Sequence, residues 1–106
     1  MRKISSKRKL IIQCDKLLFE ILKKERGGFC EICGKTAGLG VFHILPKGKY
    51  PRLRFNKFNT LLAGWFCCHF PFHHDFFISK DRIEPKIKAL RGENYREELI
   101  KIDLAS

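Results

Sequence analysis

With 106 residues, the chain has room for one domain with a small core. A hydrophobic content of 44% excludes wholesale disorder, and no apolar run reaches the roughly 18–20 residues that span a bilayer. The net charge of +11, from 22 Lys and Arg against 11 Asp and Glu, is clustered, and it favours an anionic partner over a merely solvated basic surface.

Residues 1–28 read as a basic amphipathic helix. Arg2, Lys3, Lys7, Arg8 and Lys9 form a basic arm, and Ser5 or Ser6 can cap the helix that follows. Leu10, Ile11, Cys14, Leu17, Leu18, Ile21 and Leu22 recur at three- and four-residue spacing, which marks one apolar face. Cys14 lies on that face and reads as core. Gly27-Gly28 ends the helix after Lys23, Lys24 and Arg26, cations that suit the negative end of its dipole. The basic outer face is either solvated surface or a nucleic-acid contact, and the helix offers a face for a homodimer.

Residues 29–79 carry the motifs. Phe29-Cys30-Glu31-Ile32-Cys33-Gly34-Lys35 is a C-x-x-C-G-K turn, whose two thiolates can clasp one tetrahedral zinc while Gly34 lets the chain fold back. Leu39 to Leu45 reads as a short strand with His43 on it. Residues 46–57 form a basic loop with Lys47, Lys49, Arg52, Arg54 and Lys57, the cations placed to grip phosphates. Pro46, Gly48 and Pro51 keep that loop irregular. Thr60 to Phe66 reads as the second strand of a hairpin. Cys67 to Ser79 reads as a helix with Pro71 in its first turn, where a missing N–H is tolerated. Phe66, Phe70, Phe72, Phe76 and Phe77 read as core in preference to a base-stacking platform, and Trp65 as buried beside the hairpin. Residues 80–106 hold two more helices. Asp81 caps the first, with Ile83, Ile87 and Leu90 inward. Gly92 separates it from the second, Glu93 to Leu104, with Tyr95, Leu99, Ile102 and Ile100. The expected class is α+β.

The five cysteines are Cys14, Cys30, Cys33, Cys67 and Cys68. The basic N-terminus shows no secretory signal, so a reducing compartment is expected, where paired cysteines more often mean metal than disulfide. All four histidines lie between positions 43 and 74, beside Asn59 and the Cys67-Cys68 pair. On a helix, His69 and His73 share one face and can bind one ion.

The order C-x-x-C, then F-H-I-L-P-K-G around His43, then L-R-F-N-K-F-N ending at Asn59, then C-C-H-F-P-F-H-H resembles the HNH (ββα-metal) nuclease superfamily. The closest branch is the zinc-containing one that includes phage recombination nucleases. The resemblance runs from Cys30 to Asp75, a little under half the chain. It implies a zinc-pinned ββα-metal core and metal-dependent endonuclease action on DNA in the cytoplasm of a bacterial or phage-infected cell. It makes His43 the general base and Asn59 the residue that pins the loop. His69 and His73 become ligands of one catalytic divalent metal (manganese, nickel or magnesium). Cys30, Cys33 and Cys68 become three of four ligands to a structural zinc.

Two departures stand out. The family places a metal ligand before the base, and this chain has Phe42 there. That opens the alternative of a non-catalytic, zinc-stabilised nucleic-acid-binding module. The family's remaining zinc cysteine is also missing: Gly64 and Trp65 stand at its positions. Either Cys67 substitutes for it beside Cys68, or another donor completes the site. Asp75 either completes the catalytic shell or caps the following turn, and His74 reads as a surface residue.

Overall fold

The computed structural model describes residues 5–105; Arg2 and Lys3 of the basic arm, and Ser106, lie outside them. Helix α1 spans Ser6–Arg26. Extended Ser5 caps it, its hydroxyl accepting the Arg8 N–H at 3.1 Å. Gly27 ends it at φ 87°, a conformation that favours glycine. Of the expected apolar face, only Leu18 and Leu22 are buried, while Leu10 and Leu17 remain exposed along its edge.

Strands β1 (Leu39–His43) and β2 (Thr60–Gly64) form an antiparallel hairpin, with Leu39 opposite Gly64 and His43 opposite Thr60. Both faces of this two-stranded sheet are covered. On one face Leu62 packs with Leu18 and Leu22 of α1, flanked by Leu39 and Val41. On the other, Phe42, Leu61 and Ala63 join the main core. A strand covered on both sides needs no polar alternation, which is why Thr60-Leu61-Leu62-Ala63-Gly64 is wholly buried.

The loop from Ile44 to Asn59 is more regular than its prolines suggest. It contains two 3-10 turns, Pro51–Leu53 and Lys57–Asn59. The Asn56 side chain caps the second, accepting the N–H groups of Phe58 and Asn59.

After β2 the chain enters a π-helical turn, Trp65–His69, that runs into α2 (Phe70–His74) with Pro71 in its first turn. The expected single helix to Ser79 is broken at Asp75. This residue leaves helical geometry (φ −128°, ψ 100°), and its carboxylate caps α3 (Phe76–Ile78) by accepting the Ile78 N–H at 3.0 Å. A second π turn, Ser79–Ile83, leads into α4 (Glu84–Arg91), and Gly92 precedes α5 (Tyr95–Ala105). Asp81 therefore sits inside a turn and caps nothing. Ile83, Ile87, Tyr95 and Leu99 fill the core as expected, whereas Leu90, Ile100 and Ile102 lie at the surface.

The aromatic expectations are corrected most sharply. Trp65 is 44% exposed, Phe66 84%, Phe76 68% and Phe77 80%, and Phe70 is also exposed. Only Phe72 turns inward, edge-on to Phe42 at 5.0 Å between ring centroids. The C-terminal helices already supply the apolar side chains that close this core, so the broken α2–α3 segment contributes one residue and leaves the rest outside.

Two arginines tie the elements together. Arg26, at the end of α1, and Arg91, at the end of α4, both donate to the Thr60 carbonyl, at 2.7 and 2.9 Å. They also hold the carbonyls of Lys57 and Phe58. Among the described residues no helix is long and apolar enough to cross a membrane.

The packing of α1 gives a direct test. Leu22→Ala is expected to lower stability by about 2–5 kcal/mol through lost burial and a residual cavity. Leu17→Ala, on the exposed edge, is expected to stay within about 0.5 kcal/mol of wild type. Urea unfolding of both variants checks this; equal losses would mean that α1 packs through the other stripe.

Candidate metal centre and histidine site

The C-x-x-C turn is held by its own backbone. Cys30 N–H donates to the Lys35 carbonyl at 2.7 Å, and Gly34 N–H to the Cys30 carbonyl at 2.8 Å. Gly34 adopts φ 83°, which turns the chain back beneath the thiols. Glu31 docks the turn on β2: its N–H donates to the Leu62 carbonyl, its carboxylate accepts the Leu62 N–H, and Arg26 neutralises it at 3.2 Å.

This docking brings Cys30 and Cys33 to Cys67 and Cys68. The four sulfurs lie within 4.8 Å of one another, and those of Cys30 and Cys68 are 3.7 Å apart. Sulfurs around a tetrahedral zinc at about 2.3 Å would stand about 3.8 Å apart. The group can therefore hold a structural metal ion such as zinc, with Cys67 as a geometrically adequate partner for Cys68. Cys14 stands apart from it.

Two features let adjacent cysteines share one centre. Neighbouring side chains on an α-helix diverge by about 100°; the wider π turn at Trp65–His69 narrows that angle. Gly64 then clears the space. A Cβ there would lie 2.6 Å from the Cys67 sulfur and 3.0 Å from the Ala37 carbonyl oxygen.

The thiol electrostatics also ask for a cation. Burial alone would push the Cys30 thiol up, but backbone groups of Cys33, Gly64 and Ile32 outweigh it and bring it to about 7. Burial and neighbouring thiols push Cys67 up to about 11 and Cys68 further. The Cys30 proton leaves readily, whereas those of Cys67 and Cys68 leave only against a positive charge.

His43 sits at the end of β1. Its Nε2 donates to the Arg54 carbonyl at 2.8 Å, which leaves Nδ1 as the unprotonated nitrogen. Among the described residues Nδ1 has no hydrogen-bond partner, and no buried side-chain nitrogen or oxygen is orphaned, so this lone pair reaches solvent. His43 lines a pocket of about 300 Å³ with Asp15, Lys16, Phe19, Val41 and Lys47. Burial holds its pKa below the usual 6.5, helped by Lys47 and Arg54, while the Arg54 carbonyl and Asp15 oppose this. The ring is therefore neutral at pH 7.

The loop that presents the Arg54 carbonyl is locked by Asn59, which is fully buried. Its Oδ1 accepts the Leu45 N–H at 2.8 Å, and its Nδ2 donates to the carbonyls of Leu45 and Leu53 at 3.1 and 3.3 Å. A further contributor, Asp15 of α1, left no mark in the sequence pattern. Its carboxylate grips the Arg54 side chain in a fork, at 3.0 and 2.6 Å, and the guanidinium holds the acid below its usual pKa range. Asp15, Arg54 and His43 thus form one chain of contacts from α1 to the imidazole.

His69 and His73 stand with their ring centroids 5.4 Å apart, about the separation of two imidazoles sharing one ion. Burial, then the charges of His73, His43 and Lys47, lowers the His69 pKa to about 4, and burial also lowers that of His73. Burial rather than a helix dipole keeps them neutral. Phe42 occupies the third side, its ring 5.0 Å from His69 and 6.0 Å from His73. Asp75 is committed to its capping role. Two nitrogen donors are therefore in place, and a hydrocarbon ring stands where a third donor would complete a site. Strand alternation also puts Phe42 and His43 on opposite faces of β1, so His43 is near enough for its charge to be felt at His69 but shares no ring contact with it.

The loop cations divide. Arg54 pairs with Asp15, Lys57 with Glu25 at 2.7 Å, and Arg52 donates to the Asp103 carbonyl at 3.3 Å. These three fasten the loop to α1 and α5. Lys47 and Lys49 make no ion pair among the described residues; Lys47 borders the His43 pocket.

No family model matches the chain, and neither a curated protein nor a solved structure does.

The role of Gly64 can be measured. Gly64→Ala is expected to weaken zinc binding by about 10- to 100-fold, the range for altered support of a metal ligand. Competition with a chromogenic chelator reads it. Unchanged affinity would remove Cys67 from the ligand set.

Proposed function

We propose that this chain is a small endonuclease of the HNH type, with a structural zinc on Cys30, Cys33, Cys67 and Cys68 and His43 as the general base for hydrolysis of a DNA phosphodiester. The observation that carries this reading is the state of His43: neutral, with Nε2 committed to a locked carbonyl, Nδ1 unpartnered, and the residue lining a pocket bordered by two lysines. A core histidine with no further task would have no need of a loop built to fix its tautomer.

In this reading Nδ1 takes a proton from water as the water oxygen bonds to phosphorus. The P–O3′ bond breaks, and the departing oxygen takes a proton from solvent, leaving a 5′-phosphate and a 3′-hydroxyl. Lys47 and Lys16, which line the same pocket as His43, hold the non-bridging oxygens in this reading. Arg54 and Asp15 act through His43, by holding its orientation. A divalent ion on His69 and His73 would add positive charge near His43 for a bound phosphodiester strand, and two imidazole donors favour manganese or nickel over magnesium.

A second reading has its own observation. Phe42 is fully buried against both imidazoles and denies the ion a third protein donor. This favours a zinc-stabilised module that binds nucleic acid without cutting it.

Nicking of supercoiled plasmid with manganese, nickel and magnesium in turn separates the two. Wild type is expected to nick with manganese or nickel, and His43→Ala to lose at least about a hundredfold in rate, the scale of a general base. Salt-sensitive binding without nicking under any metal would establish the second reading.

The pH profile tests the base itself. Only neutral His43 accepts a proton, so the rate should hold below neutrality and fall in acid with a midpoint under 6.5. Asp15 raises the His43 pKa, so Asp15→Asn should move that midpoint lower. A midpoint above 6.5, or one moved up by Asp15→Asn, would assign the titration to another group.

A further inference from the structure

A groove of about 480 Å³ lies between the start of the 44–59 loop, α2–α3 and the start of α5. Its volume is in the range of small-ligand sites. Tyr50, Phe72 and Phe76 give it aromatic walls, and Lys49, Lys80 and Arg96 stand around it. Phe72 is the floor, packed on Phe42, while Phe76 stands two-thirds exposed at the edge. Lys49 lies over the Tyr50 ring at 5.9 Å, and Lys80 over Phe76 at 5.8 Å. One carboxylate, Glu84, faces these cations, 3.0 Å from Lys80 and 3.6 Å from Arg96. Three cations against one acid leave the groove positive. His73 also lines it, so it opens directly from the histidine site.

We propose that this groove binds an unpaired nucleotide, with its base against Phe76 and Tyr50 and its phosphate on Lys49. A flat aromatic ligand can pack on the exposed Phe76 ring, and an anionic one matches the rim. Nucleotides combine both properties, but a duplex buries its base faces in its own stack. The groove therefore selects strands with unpaired bases, such as single strands or flaps. The net charge of +11 makes an acidic polymer the complementary occupant. This inference rests on the nucleic-acid reading above and adds the substrate class.

The test is fluorescence anisotropy with a labelled oligothymidine and a blunt duplex of equal length, without added divalent metal, so that nothing is cut. Phe76→Ala is expected to weaken the single strand by about 5- to 100-fold, the scale of one lost base stack, and the duplex by less than about twofold. Phe77→Ala is the control. It removes an equally exposed ring, 5.8 Å from Phe76, that lies outside the groove, and neither ligand should respond. Lys49→Ala should reduce the salt slope for the single strand by about 0.7. Unchanged single-strand affinity in Phe76→Ala, or an equal loss in Phe77→Ala, overturns the proposal. So does an effect of Phe76→Ala confined to self-association in sedimentation, which assigns the groove to a second copy of the chain. Wild type that binds neither ligand overturns the nucleic-acid reading together with it, whereas duplex binding and nicking that survive a silent Phe76→Ala overturn the groove alone.

Discussion

Four thiols within 4.8 Å of one another set the terms for everything around them. As neutral groups they share only weak hydrogen bonds, and as thiolates they repel; a divalent cation would turn the same crowding into a favourable centre. The cluster joins the turn after α1 to the entry to α2, and Cys30 and Cys68 meet there from 38 residues apart. In a chain this short such a centre would reinforce a small core. It also explains the shape of the entry to α2. A regular α-helix would direct Cys67 and Cys68 to different sides, so the chain opens into a π turn and leaves position 64 without a Cβ.

From that anchor the hairpin carries a second, independent constraint. The loop between the strands must leave no buried polar group unpaired, and one side chain, Asn59, satisfies three backbone groups at once. The loop is thereby held in the one conformation in which the Arg54 carbonyl meets His43. Asp15 reaches the same residue from α1, a helix that belongs to neither strand nor metal turn. A metal on the cysteines would secure the fold and the loop secures the imidazole, so damage to one need not propagate to the other.

Much of this was legible, and the reasons differ by residue. Gly27 and Ser5 announce the ends of α1 because caps are local chemistry. Cys30, Cys33 and Gly34 announce a metal-ready turn because the spacing is itself the geometry. Cys67 was ambiguous because the sequence does not reveal a π turn, although Gly64 beside two cysteines is a trace of one. Arg54 and Lys57 read as phosphate contacts because a basic loop looks alike whether its cations face a ligand or the acids of a distant helix; Asp15 and Glu25 are 39 and 32 residues away. The phenylalanines read as core because composition counts apolar side chains without knowing how many the core can hold. Ile83, Ile87, Tyr95 and Leu99 arrive later in the chain and take those places.

Phe42 shows how the two constraints meet. Its position belongs to the main core, where a fully buried ring packs against Phe72 as well as both imidazoles. A carboxylate in that place would be buried with no cation of the protein's own beside it, a cost of several kcal/mol unless an ion arrived to neutralise it. The phenylalanine removes that cost and makes the fold around His69 and His73 independent of any second metal. The same ring keeps the imidazoles partly desolvated and neutral. Two donors leave a coordination shell open, unlike the cysteine cluster, where the chain supplies four.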